Sequence, residues 1–100
     1  MSTENQVLGL IAKAIEQHKD ELKDCRVYLF GSRSQQTQKS RSDFDIGILG
    51  KEPVNLKLFY QIEDEFDNLP TLYKIDWVDL NRTSESFREH ALKQAQLIYG

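Results

Sequence analysis

The chain has 100 residues, 39% of them hydrophobic and 29% charged, with a formal net charge of −3. A chain of this length buries roughly 65% of its unfolded surface and makes one domain, residues 1–100, and the acidic balance argues against a surface that coats nucleic acid. No stretch approaches the roughly 18–20 apolar residues of a membrane span, Met1-Ser2-Thr3-Glu4 lacks the basic start of a secretory signal, and a single cysteine, Cys25, excludes an intrachain disulfide and points to a reducing, cytoplasmic compartment.

Val7, Leu10, Ile11, Ala14 and Ile15 recur at intervals of three and four, which predicts an amphipathic helix ending near His18, with Ser2 or Thr3 as its cap. Lys19 to Asp24 is a polar connector with a turn around Leu22. Arg26-Val27-Tyr28-Leu29-Phe30 is a short apolar run rich in β-favouring residues and reads as a buried strand. Gly31 through Ser42 is polar and reads as a loop, with a short helix able to start at Ser32. From Asp43 to Leu49 the residues alternate: Asp43, Asp45 and Gly47 take one face of a strand, Phe44, Ile46 and Ile48 the other.

Asn55 is placed to cap a second helix marked by Leu56, Phe59, Ile62, Glu63 and Phe66. Asn68-Leu69-Pro70 is a turn signal, and Tyr73 to Leu80 has strand composition. Thr83 or Ser84 caps a last helix carrying Phe87, Ala91, Leu92, Ala95 and Ile98. The interspersed order gives an α/β architecture, a small mixed β-sheet covered by helices. Trp77 reads as core, His18 and His90 as helix-surface residues, and Glu63-Asp64-Glu65 with Asp67 as a solvated helix face.

The chemistry concentrates between Tyr28 and Ile46. Asp43 and Asp45 share a strand face with Cα atoms roughly 6.6–6.8 Å apart, close enough to share one cation. Two carboxylates held that way repel unless a cation neutralises them, and an oxygen-rich site suits Mg²⁺ or Mn²⁺ together with phosphate oxygens. Gly31 lets backbone approach a ligand, and Ser32 adds a hydroxyl and an amide where phosphate is commonly bound. Arg26, Arg33, Lys39 and Arg41 fall in a segment without an acid, so a positive loop precedes the acidic strand. Of these, Arg33, Lys39 and Arg41 are the candidates for balancing phosphate charge, Arg33 foremost because it adjoins Ser32. A third carboxylate comes from the third strand, where Asp76 and Asp79 lie on opposite faces and pattern alone leaves both open.

Phe30-Gly31-Ser32-Arg33, ten residues between Ser32 and Asp43, Ser42-Asp43-Phe44-Asp45-Ile46, and the later Lys74-Ile75-Asp76-Trp77-Val78-Asp79-Leu80 together resemble the minimal nucleotidyltransferases of the DNA polymerase β superfamily. The resemblance covers nearly the whole chain and implies a nucleotidyltransferase, polymerase β palm-like fold. It assigns Asp43, Asp45 and Asp76 as catalytic metal ligands, choosing Asp76 over Asp79, and Gly31, Ser32 and Arg33 as the nucleotide-binding positions. Two Mg²⁺ ions with ATP as substrate are implied, and transfer of AMP to a hydroxyl. Minimal members of this kind pair with small helical HEPN-type proteins as antitoxin and toxin. The implied acceptor is therefore a tyrosine of such a partner in a hetero-oligomer, with nucleic acid and membrane not expected as partners. A non-catalytic antitoxin that neutralises its partner by binding is the alternative. This chain has Ser34-Gln35-Gln36 where the family often has Ala-Arg-Gly, so Gln36 replaces a glycine in the loop.

Overall fold

A computed structural model describes residues 3–30 and 44–100. The Gly31 to Asp43 segment, with the helix start considered at Ser32, lies outside the described residues, as does Ser2. The elements in order are α1 (Thr3–Glu16), β1 (Arg26–Phe30), β2 (Phe44–Leu49), α2 (Leu56–Asp67), β3 (Ile75–Asp79), a 3₁₀ turn (Leu80–Arg82), α3 (Glu85–Leu92) and β4 (Gln96–Tyr99). The strands form one mixed sheet in the order β3-β2-β1-β4. β1 pairs antiparallel with both β2 and β4, whereas β2 and β3 run parallel, joined by α2 as the crossover that parallel strands require.

The expected alternation of β2 decides what each face does. Phe44, Ile46 and Ile48 are buried with Leu29, Ile75 and Trp77, and this face is covered by Val7, Ile11 and Ile15 of α1 and by Leu58, Ile62 and Phe66 of α2. Leu56 lies off that buried stripe and is about half exposed. Asn55 caps α2, its side-chain oxygen accepting from Lys57 N at 2.8 Å and Leu58 N at 3.4 Å. Ser84 caps α3 through Phe87 N at 3.1 Å. On the opposite face Phe30, Leu80 and Ala91 form a smaller cluster with Tyr28, Leu49 and Val78.

Beyond β2 and β3 the pairing is completed by a side chain. The Asn81 amide accepts from Gly50 N at 2.8 Å and donates to Gly50 O at 2.9 Å. The separation of 31 residues is the one that relates Phe44 to Ile75 and Ile48 to Asp79 in the strands themselves.

Two expectations are corrected. The last helix ends at Leu92, and Gln96 to Tyr99 form an edge strand, with Leu97 opposite Tyr28. Those residues favour β structure, and β1 offers them a free edge to pair with. His18 is not a surface residue: it is 8% exposed, with Nε2 3.0 Å from Glu65 Oε1 and Nδ1 3.4 Å from Glu21 Oε1. Glu65 is correspondingly drawn out of the solvated face and joins the end of α1 to α2. Burial depresses the His18 pKa, but hydrogen bonds and charge from Glu65 and Glu21 outweigh it and leave the imidazole above its ordinary value. His90 is exposed as expected.

Candidate functional site

The site is built on the row where Phe30, Asp45 and Asp76 stand opposite one another across β1, β2 and β3. Residues paired across neighbouring strands share a face, so Asp45 and Asp76 point the same way from Cα atoms about 4.8 Å apart. Asp45 is half-buried and Asp76 exposed. The residues around them fix this orientation. Phe44, Ile46 and Ile75 are buried on the helix-covered side, and Trp77 is locked there: its indole N–H donates to Phe59 O at 3.0 Å, while its ring stacks on Phe59 and meets Phe66 edge-on. With Ile75 and Trp77 held inward, Asp76 must face out.

The same alternation removes Asp79 from the site. It is 6% exposed on the core side, where one carboxylate oxygen accepts from Asn81 N at 3.0 Å and the other from Arg82 Nε at 3.2 Å. Asp79 caps the 3₁₀ turn, and of the two aspartates it is Asp76 that strand register sets beside Asp45.

On the carboxylate face Gly47 follows Asp45. A Cβ there would meet Leu80 Cδ1 at 2.8 Å and Phe30 Cε1 at 3.1 Å, so the missing side chain admits both groups against the sheet. α3 covers this end of the face, tied down by Arg88, which donates to the carbonyls of Leu80 at 2.9 Å and Thr83 at 3.1 Å. The carboxylate end has no such helix among the described residues.

Side by side, Asp45 and Asp76 offer oxygen donors whose mutual repulsion a hard divalent cation relieves, so the donor set fits Mg²⁺. Asp43, the remaining expected ligand, lies outside the described residues, as do Gly31, Ser32 and Arg33. Among the described residues no cluster of three or more His, Cys, Asp or Glu occurs. Cys25 sits at the far end of β1, its thiol pushed up by burial and by nearby Asp24 and Asp79. Lys74 was not singled out from sequence. Its carbonyl accepts from Phe44 N at 2.9 Å, one bond of the Phe44–Ile75 pair, so Lys74 and Asp76 flank Ile75 and by alternation take the face opposite to it. The signal was available in the two-residue spacing of Lys74 and Asp76.

Among the described residues no helix is long and apolar enough to cross a membrane. Comparison with known proteins extends these observations. The family model described as polymerase beta, nucleotidyltransferase matches residues 11–100. A probable protein adenylyltransferase MntA of Haemophilus influenzae is 33% identical over 66 residues, 66% of this chain and 58% of that protein, so the match spans less than two thirds of that relative's length. A crystal structure of a toxin–antitoxin with AMP-PNP superposes with a TM-score of 0.67 at 25% identity, over 89% of this chain and 73% of its counterpart. An MNT antitoxin complexed with a tri-AMPylated HEPN toxin of Shewanella oneidensis has a TM-score of 0.62 at 21% identity, over 93% and 72%, and is similar in fold.

Proposed function

The chain belongs to the polymerase β nucleotidyltransferase family, and on that premise we propose that it transfers AMP from ATP to a hydroxyl of a protein partner, a tyrosine of a small helical HEPN-type toxin, and so acts as an antitoxin. The observation that carries this is the pairing of Asp45 with Asp76 on one face of the sheet, beyond the end that α3 covers. The relative and the superposed complexes support the choice of AMP and of a protein acceptor. The unit is the single domain 1–100, acting in the cytoplasm in a hetero-oligomer with its partner.

Asp43, Asp45 and Asp76 would hold Mg²⁺, two ions in the full site, which when bound makes the acceptor hydroxyl more acidic and offsets charge on the phosphates. Gly31, Ser32 and Arg33 receive the triphosphate through backbone amide, hydroxyl and guanidinium. Asp76, on the outer strand of the row, orients the acceptor and takes its proton. The acceptor oxygen forms a bond to the α-phosphorus, the bond from that phosphorus to the bridging oxygen breaks, and pyrophosphate leaves with the electron pair.

The test is labelling of the partner with ATP radioactive at the α-phosphate, in Mg²⁺, by wild type and by Asp45→Asn and Asp76→Asn. Each substitution is expected to lower the rate by about 10²–10⁴-fold, and chelation to abolish it. Labelling that persists in both variants refutes the site. Neutralisation of the partner by an unlabelling Asp43→Asn/Asp45→Asn protein would support the binding-only antitoxin instead.

A further inference from the structure

Resting on that reading, we propose that the groove between α1 and the segment entering β3 docks the polypeptide acceptor through one of its apolar side chains, and that Lys74 binds an acidic residue beside the acceptor hydroxyl. Strand order sets the direction of approach. β1 ends at Phe30, the residue before Gly31 and Ser32 in the sequence, and on the reading that these two receive the triphosphate it enters from the β1 side of the Phe30–Asp45–Asp76 row. β3 is the opposite edge of the sheet among the described residues, and the acceptor reaches Asp76 over that edge.

The segment that leads into this edge is unusual. Leu69, Pro70, Leu72 and Tyr73, with Val7 and Leu10 of α1, line a groove of about 610 Å³. It lies at the carboxylate end of the sheet, because Tyr73 packs edge-on against Phe44, the neighbour of Asp45, with ring centroids 5.3 Å apart. Leu72 is 88% exposed, far more than the other large apolar side chains at the surface among the described residues, and it stands four residues before Asp76. A leucine so placed adds almost nothing to folding, and because it belongs to the groove lining it extends one continuous apolar patch open to a partner. A lining that is apolar except for Gln6 and Thr71, and that carries no charge, suits a polypeptide side chain rather than RNA, whose binding rests on phosphate charge.

Lys74 supplies the second determinant. It is the one basic residue between Leu69 and Asp79, it is exposed, and it forms no ion pair with a described residue. Standing beside Asp76 on the same face, its ammonium would draw an acidic residue of the acceptor to a position next to the reacting hydroxyl. That acid would otherwise be repelled by Asp45 and Asp76. The complementary acceptor is thus a tyrosine-bearing segment with one exposed leucine-like side chain and one acid close to the tyrosine.

The probes are short synthetic peptides with a single tyrosine, a leucine and a glutamate, versions with Leu→Ser or Glu→Gln, and a single-stranded RNA with a free 3′ hydroxyl. Labelling from ATP is measured for wild type, Leu72→Asp and Lys74→Ala, with ATP binding titrated separately and melting checked for each protein. Wild type is expected to prefer the parent peptide by at least about tenfold in kcat/KM. Leu72→Asp should erase the leucine preference and Lys74→Ala the glutamate preference, both with ATP affinity within about twofold of wild type. Preferences that survive these substitutions overturn the docking surface, as does RNA being labelled best. Wild type that binds ATP yet labels no peptide overturns the docking surface and leaves nucleotidyl transfer standing, whereas wild type that does not bind ATP overturns both.

Discussion

Replacing Gly47 by alanine sets two effects of opposite sign against each other, and the structure decides between them. Alanine ordinarily gains about 0.5–1 kcal/mol over glycine inside a strand, because the unfolded chain loses freedom. Here the new methyl would lie 2.8 Å from Leu80 Cδ1, 2.9 Å from Leu80 Cγ and 3.1 Å from Phe30 Cε1. Leu80 has no exposed surface and Phe30 is 7% exposed, so neither can swing into solvent. Overpacking of this kind costs about 1–3 kcal/mol, which leaves a net loss of about 1–2 kcal/mol. With a urea dependence of about 1–1.5 kcal/mol per molar, the unfolding midpoint should fall by roughly 1 M. Fluorescence of Trp77, the sole tryptophan, reports the transition. Gly9→Ala is the internal control: nothing lies within 4 Å of its added methyl in α1, and it should raise stability by up to about 1 kcal/mol. A Gly47→Ala midpoint equal to or above wild type would refute the packing argument. Phe30 also stands opposite Asp45, so the displaced ring should lower AMP transfer modestly, by less than about tenfold.

Two further outcomes test separate parts of the fold. The His18 imidazole titrates above its ordinary value when folded, and Glu65 and Glu21 face it. Its contribution is therefore complete below the unfolded pKa of about 6.5 and is lost as pH rises through the higher folded value. The stability difference between wild type and His18→Gln should be about 1–2 kcal/mol near pH 6 and shrink by pH 8.5, read from urea midpoints; a difference that grows with pH would reverse the assignment. Asp79→Asn should lose about 1–2 kcal/mol by unpairing Arg82 while AMP transfer stays within about threefold, and Asp76→Asn should do the reverse, with melting unchanged and transfer lowered by about 10²–10⁴-fold. Equal activity losses in the two would contradict the division of labour between them.

Local chemistry was readable where a residue acts on its own neighbourhood. Asn55 and Ser84 cap their helices through side chains that reach amides two or three residues on, and Phe44, Ile46 and Ile48 turn inward by alternation alone. The selection of Asp76 over Asp79 depends on which face of β3 meets the core, and that is set by Phe59 and Phe66 packing on Trp77 from another element. His18 gains its partner from Glu65, 47 residues away, and no local pattern announces such a pair. The last strand was hidden for a related reason. Phe87, Ala91, Leu92, Ala95 and Ile98 keep a helical spacing, while the free edge of β1 that recruits Gln96 to Tyr99 exists only in three dimensions. At the candidate site, Asp45 and the face it shares with Gly47 followed from alternation, whereas Lys74 needed the Phe44–Ile75 pairing, in which its carbonyl takes part, to be placed beside Asp76.

The Asn81 amide that grips Gly50 gives the site an all-or-nothing character. Because side chains alternate, a slip of β2 by one residue against β3 would not displace Asp45 slightly; it would turn the carboxylate into the core and bring Ile46 out in its place. Intermediate errors do not exist for such a ladder. A rigid side-chain rung at the end of the pairing, fitting only one offset, therefore acts as a checksum on the alignment that puts Asp45 beside Asp76, from a position that never touches either carboxylate.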